Sequence, residues 1–162
     1  MSITFYVTYE LHGRSVGKMR NEVTGRQVEP SIEPEFNMAS DEAGFHGGDG
    51  SAPLPLAYFC TGLITCLMTQ IRAFSKRLEI KLEGVDVQAT IKWKATSEGR
   101  NPYEASPVNF LLDVDMDSDA SLEDQTRLLE AAKKGCFIEA TLANPIPVNH
   151  RIKQGEDFVE VD

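Results

Sequence analysis

Apolar and polar residues alternate along ITFYVTYEL, residues 3–11, and the β-branched and aromatic content there predicts a strand. His12-Gly13 reads as a turn, with residues 15–23 returning as a second strand. Thr24-Gly25 marks another turn, and residues 27–38 read as extended. Pro30 and Pro34 confine that last segment to an edge or an irregular course. The N-terminal part, 1–38, is thus expected to be a small antiparallel sheet.

The pattern then changes. Residues 39–53 are rich in Ser, Asp and Gly (Gly44, Gly47, Gly48 and Gly50) and predict a loop. From Pro53 to Phe74 the chain is apolar at nearly every position. Pro53 and Pro55 fit only a first helical turn. Phe59, Leu63, Cys66, Gln70 and Phe74 recur at spacings of three or four, while Ile64, Leu67, Met68 and Ile71 fill the other sides. A helix apolar almost all round packs on most of its faces. Charge returns at Arg72, Lys76 and Arg77, where a helix C-terminus favours cations. This predicts a long central helix, and loop and helix together span 39–78.

Period-2 alternation resumes in LEIKLEGVDVQATIKWKA, residues 78–95, with Gly84 as a bulge or kink. Residues 96–107 form a polar connector. Residues 108–116 alternate again, with Phe110, Leu112, Val114 and Met116 on one face. Ser121 is a good N-cap, followed by Glu123 and Asp124 in the first turn and a second helix that stops at Gly135. Cys136 follows that stop, residues 137–142 read as a short helical turn, and residues 144–148 and 151–161 are strand-like. The part 79–162 is therefore β-β-α-β. The whole of 1–162 is expected to be a single α+β domain.

Composition narrows the function classes. With 162 residues, 41% of them hydrophobic, the chain can bury a real core. Sixteen Lys and Arg against 25 Asp and Glu give a formal charge of -9. Phosphate backbones are bound by clustered basic residues, so neither nucleic acid nor an anionic membrane is an expected partner. The alternating N-terminus lacks the apolar run of a secretion signal. The uncharged apolar run 54–68 falls short of the roughly 20 residues of a membrane span. Three cysteines without an export signal suggest a reducing, cytoplasmic setting.

Those cysteines, Cys60, Cys66 and Cys136, are the first candidates for chemistry. A reactive cysteine works as the thiolate and needs a helix N-terminus, a cation or a base beside it. Cys136, opening a new turn, is offered free N–H groups. Cys66 lies mid-helix in apolar surroundings, where a cysteine also serves simply as a small hydrophobe. Cys60 and Cys66 lie about 240° apart around the helix. Cys66 with Cys136 is the favoured pair, since separate elements can bring them together. Other motifs are weaker. Asp113, Asp115, Asp117 and Asp124 echo a calcium loop, but Ser118 replaces its turn glycine and no helix enters it, so an acidic strand face is the better reading. Gly47-Gly48-Asp49-Gly50 lacks the Lys and Ser/Thr of a phosphate loop. His12, His46 and His150 have no metal-ligand spacing, and no metal site is expected.

Asp41-Glu42, then Gly47-Gly48-Asp49-Gly50, Pro53-Leu54-Pro55, the helix bearing Cys66 and the segment AAKKGCFIEATLANPIPV together resemble the osmotically inducible protein C and organic hydroperoxide resistance (OsmC/Ohr) family. The resemblance implies an OsmC-like fold, antiparallel sheets wrapped around a long central helix, in an intertwined homodimer. It implies thiol-dependent reduction of small organic hydroperoxides, with Cys66 attacking, Cys136 resolving, a dithiol as reductant and no cofactor. A rival reading is an OsmC-like protein without peroxidase activity that binds an apolar small molecule at the dimer interface. Two positions depart from the family pattern. Leu56 stands where the peroxidases carry a glutamate that holds an arginine, a role for which Arg14, Arg20 and Arg26 are all candidates here. Phe137 stands where proline usually follows the second cysteine.

Overall fold

A computed structural model describes residues 2–161. The chain divides after Thr61 into two compact units. In the first, β1 (Thr8–Ser15), β2 (Asn21–Glu29) and β3 (Ser31–Ser40) form an antiparallel sheet in the order β1-β2-β3. The expected sheet is present, but its boundaries lie further along the chain. Residues 2–7 are irregular, and residues 16–20 make the first turn, closed by Val16 N–H donating to the Arg20 carbonyl at 3.0 Å. Thr24-Gly25 is not a turn. Gly25 lies in mid-strand, paired with Leu11 and Phe36, and a Cβ there would stand 2.7 Å from the Phe36 ring. Its glycine serves close approach within the sheet rather than a reversal of the chain. Pro34 lies on β3, an edge strand, where its missing N–H is tolerated.

The loop after β3 contains a short 3-10 turn, Gly44–His46, and is tied around Asp41, the buried charged residue of this unit. The carboxylate Oδ1 accepts from Glu42 N–H at 2.9 Å. Oδ2 accepts from the Ser51 N–H at 3.0 Å and from its hydroxyl at 2.7 Å. Gly48 is packed so closely that a Cβ would overlap the Glu42 carbonyl. These three donors hold the Asp41 carboxyl below its ordinary range, the Ser51 amide contributing most.

The loop leads into α1 (Pro55–Arg77), 23 residues with proline in the first position and Lys76 and Arg77 in the last turn. It continues well past Met68, so it is long and apolar enough to cross a bilayer, contrary to the shorter run read from the sequence. Nor is it packed all round. Leu63, Leu67, Ile71 and Ser75, four residues apart, form its single buried stripe within the chain.

In the second unit β4 (Gly84–Thr96) and β5 (Glu104–Asp117) pair antiparallel over their full length. Residues 78–83 are not a strand. Glu79 has φ 57, and Gly84 opens β4 rather than bulging from it, the irregularity falling at Lys92/Trp93 instead. The half-buried face of β5 carries Phe110, Leu112, Val114 and Met116, as alternation predicts. Asp113, Asp115 and Asp117 occupy its exposed face, opposite Gln88, Asp86 and Gly84, so the calcium-like spacing is a solvated strand edge. Ser121 caps α2 (Leu122–Gly135), its hydroxyl accepting from Asp124 N–H at 3.1 Å. After α3 (Phe137–Ala143), residues 144–149 run irregularly, not as the expected strand, and β6 (His150–Gln154) then forms a hairpin with β7 (Asp157–Val161). The core of this unit joins Leu67, Ile71, Ile80, Leu128 and Ala132, with Leu112, Val114 and Met116 of β5 packed against them.

Candidate functional site

Residues 62, 66, 70 and 74 fall four apart on α1 and so share one face, next to the buried stripe. All four meet the junction between α2 and α3. A Cβ at Gly62 would lie 3.2 Å from Ile138 Cδ1. A Cβ at Gly135 would lie 2.6 Å from the Phe74 ring and 3.4 Å from Gln70 Oε1. Between these contacts Cys66 faces Cys136. Glycine at 62 and 135 is what lets two helical segments approach closely enough for the thiols to meet.

Cys136 is held between helices. α2 ends at Gly135, and Cys136 takes the extended conformation (φ -76, ψ 112). Its N–H donates to the Lys133 carbonyl at 3.3 Å, and its carbonyl accepts from Ala140 N–H at 2.8 Å as α3 begins. The break fixes the side chain toward α1. Cys136 is fully buried, whereas Cys66 is half-buried, and all three cysteines are free thiols.

The electrostatics of Cys136 reverse the expectation drawn from its place at a helix start. The amides of Glu139 and Ile138 do favour its thiolate, but burial outweighs them, and the hydrogen bond it gives Cys66 together with the charge available on Cys66 adds to the burial. The result is a thiol pushed up to about 11. Cys136 therefore stays protonated near neutral pH, with the Cys66 sulfur within its reach.

Other expected residues fall elsewhere. Cys60 lies in the first unit, half-buried. Leu56 is in the first turn of α1 and 54% exposed. Of the three arginines, Arg14 pairs with Glu22 at 3.1 Å and Arg26 with Glu10 at 3.4 Å. Arg20 reaches the loop ahead of α1, donating to Ser51 Oγ at 2.9 Å and to the Ser51 carbonyl at 3.2 Å. Phe137 is the exposed first residue of α3. His12, His46 and His150 share no cluster with other ligating residues, and among the described residues no group of three or more could hold a metal. Gln70 was given no role at the site, although the spacing 66, 70, 74 already put it on the face of Cys66, and Gly135 was read only as the stop of the second helix.

The fold and the paired thiols define a class. An OsmC-like protein family model matches residues 48–151, which include α1 and both cysteines. A crystal structure of an OsmC-like hydroperoxide resistance protein from Jannaschia sp. CCS1 is similar over 96% of this chain and 98% of that one, at 42% identity and a TM-score of 0.66. The chain belongs to the OsmC-like family. An organic hydroperoxide resistance protein OsmC from Legionella pneumophila shares the fold at 15% identity and TM-score 0.57, covering 88% and 93% of the two chains. So does an organic hydroperoxide resistance protein from Vibrio cholerae with captopril bound in one of its active sites, at 17% identity and TM-score 0.54, with 92% of each chain covered. Among curated proteins, none matches.

Proposed function

We propose that this protein is a thiol-dependent peroxidase that reduces small organic hydroperoxides through Cys66 and Cys136. The observation that carries this reading is the unequal thiol pair: Cys66 half-buried, and Cys136 fully buried, protonated and within reach of it. Cys66 attacks as the thiolate. Its sulfur takes the distal peroxide oxygen as the O–O bond breaks, giving a sulfenic acid and an alkoxide that leaves as the alcohol after gaining a proton. Cys136 then attacks the Cys66 sulfur. The sulfenic hydroxyl departs as water with the Cys136 proton, and the disulfide remains. A dithiol restores both thiols. The burial of Cys136 suits the second role, since it keeps that thiol from reacting with peroxide itself.

The working form in this reading is a homodimer whose subunits each contribute a single OsmC-like domain. The chain exposes 12873 Å², against about 8,000 Å² for a folded monomer of its mass. Much of that surface is apolar, including Tyr9, Leu11 and Ile32 on the first sheet and Ile152, Val159 and Val161 on the last hairpin. A second copy is the partner that would cover it.

A second reading is favoured by one feature. A cleft of about 500 Å³ in the second unit is lined chiefly by Leu63, Leu67, Phe110, Leu112 and Leu142, with Lys133 and Glu139 also lining it. It would suit an apolar small molecule held without chemistry. Following consumption of an organic hydroperoxide with a dithiol present separates the two. Cys66→Ser is expected to lower the rate by at least about 100-fold. Equal rates for the variant and the wild type would sink the catalytic role and leave the binding reading.

A further inference from the structure

The side chains packed around the thiol pair are mainly apolar, with Glu139 half-buried close to Cys136. Leu63, Leu67 and Ile71 are buried beside it on α1, Ile138 closes over Gly62, and the Phe74 ring fills the space at Gly135. One uncharged polar side chain enters this row. Gln70 stands one helical turn beyond Cys66, is half-buried, and places its Oε1 3.4 Å from where a Cβ of Gly135 would be. Its carboxamide thus reaches from the helix of Cys66 to the residue preceding Cys136. No side-chain hydrogen bond ties it to another described residue.

A reduced thiol asks little of such surroundings. A sulfenic acid asks more, because it adds an oxygen and an O–H that are costly to leave unbonded in an apolar site. A carboxamide offers two donors and one acceptor on a short flexible arm. Here it makes no side-chain hydrogen bond to a described residue in the reduced protein, its half-buried carboxamide being left to solvent, and it gains a protein partner when Cys66 carries oxygen. Gly135 keeps this arrangement possible, since any side chain there would meet Phe74 and crowd the carboxamide. From this placement we infer that Gln70 binds the oxygen of oxidised Cys66 and steadies the sulfenic acid until Cys136 attacks. The inference rests on Cys66 being the peroxide-reactive thiol.

The test uses the full chain with Cys136→Ser, so that the sulfenic acid cannot resolve. One equivalent of cumene hydroperoxide is added, and the sulfenic acid still present is captured with dimedone at intervals and counted by mass spectrometry. Gln70→Met keeps the length and removes every hydrogen bond. Gln70→Glu keeps the shape and, ionised, loses the N–H donors. Both are expected to shorten the lifetime of the sulfenic acid about tenfold. In proteins that keep Cys136, diamide should still form the Cys66–Cys136 disulfide within twofold of the wild-type rate, because that route needs no sulfenic acid. Where Gln70→Met fails the diamide control through altered packing, Gln70→Glu decides. Lifetimes within twofold of the parent in the variants that pass that control overturn the role of Gln70 and leave the peroxidase reading standing. A parent that gives no dimedone adduct overturns both.

Discussion

Asp41 and Cys136 are closed off from water almost equally, at 2% and 0% exposure. Yet the two sites shift their groups in opposite directions, Asp41 below its ordinary range and Cys136 above its own. In the loop of the first unit, Asp41 receives three donors at 2.7–3.0 Å, and together they outweigh the cost of desolvating its charge. At the helix junction of the second unit, the amides near Cys136 are too few, and the adjoining Cys66 sulfur works against a second charge. The depth of a titratable group does not decide which way its pKa moves. What decides it is how many donors the surrounding residues can aim at it.

The two units differ in the same sense as wholes. Among the described residues, every buried hydrophobic side chain belongs to the second unit, and none to residues 2–61. The first unit is held by strand pairing and by the hydrogen bonds around Asp41. The sharpest way to break that contrast is Leu128→Ala, which opens a cavity in the second unit at a fully buried position. It should lose about 3 kcal/mol in chemical denaturation. A loss below about 1 kcal/mol would mean that the cluster around Leu128 is not what stabilises this unit.

A smaller effect follows from the neutral thiol. The folded protein holds the Cys136 proton up to about pH 11, while a cysteine with its ordinary value releases it near 9.0. Above that lower value the unfolded chain binds fewer protons, so stability falls as pH rises between the two. The loss is on the order of 2 kcal/mol. Subtracting the stability profile of Cys136→Ser, measured by denaturant unfolding from pH 7 to 11, isolates it from the other groups that titrate there. A difference that stays flat across that window would show that Cys136 is not held protonated.

How far the sequence foretold this site depends on the kind of signal each residue sends. The helix of Cys66 and the capped helix ending at Gly135 are local patterns, set by hydrophobic spacing, Ser121 and glycine, and both formed where expected. The first sheet was legible as a sheet but not in its boundaries, because Gly25 looks like a turn until Phe36 is seen lying against it. Gly84 misled for the opposite reason, opening a strand where it looked like an interruption of one. The raised Cys136 thiol was out of reach altogether. The amides that lower it are near in sequence and can be read, while the burial that overrides them comes from packing against α1. Gln70 shows the same limit: its spacing placed it on the face of Cys66, but its task depends on the glycine at 135, more than 60 residues away.

The smallest expected effect tests the other side of the comparison. The folded Asp41 carboxyl lies below its ordinary range, so it stays ionised at pH values where an unfolded aspartate has already bound a proton. The stabilisation it gives is fully present above the unfolded value near 3.9, and it is lost as pH falls through the lower, folded value. This sense is opposite to that of Cys136, whose contribution is lost on the alkaline side. The most local readout is hydrogen exchange at Ser51 and Glu42, whose amides end on the carboxylate. Expressed relative to the intrinsic rate at each pH, their protection should hold from pH 7 to about 4 and weaken below that. Asp41→Asn retains one acceptor oxygen but turns an NH₂ group toward donors that need an acceptor. It should therefore lower protection of one or both amides at every pH and remove the acid dependence. Protection in the variant equal to wild type would show that the loop is held by its backbone bonds alone, such as Gly50 N–H to the Glu42 carbonyl at 3.1 Å. The charge on Asp41 would then be a consequence of the loop rather than what ties it.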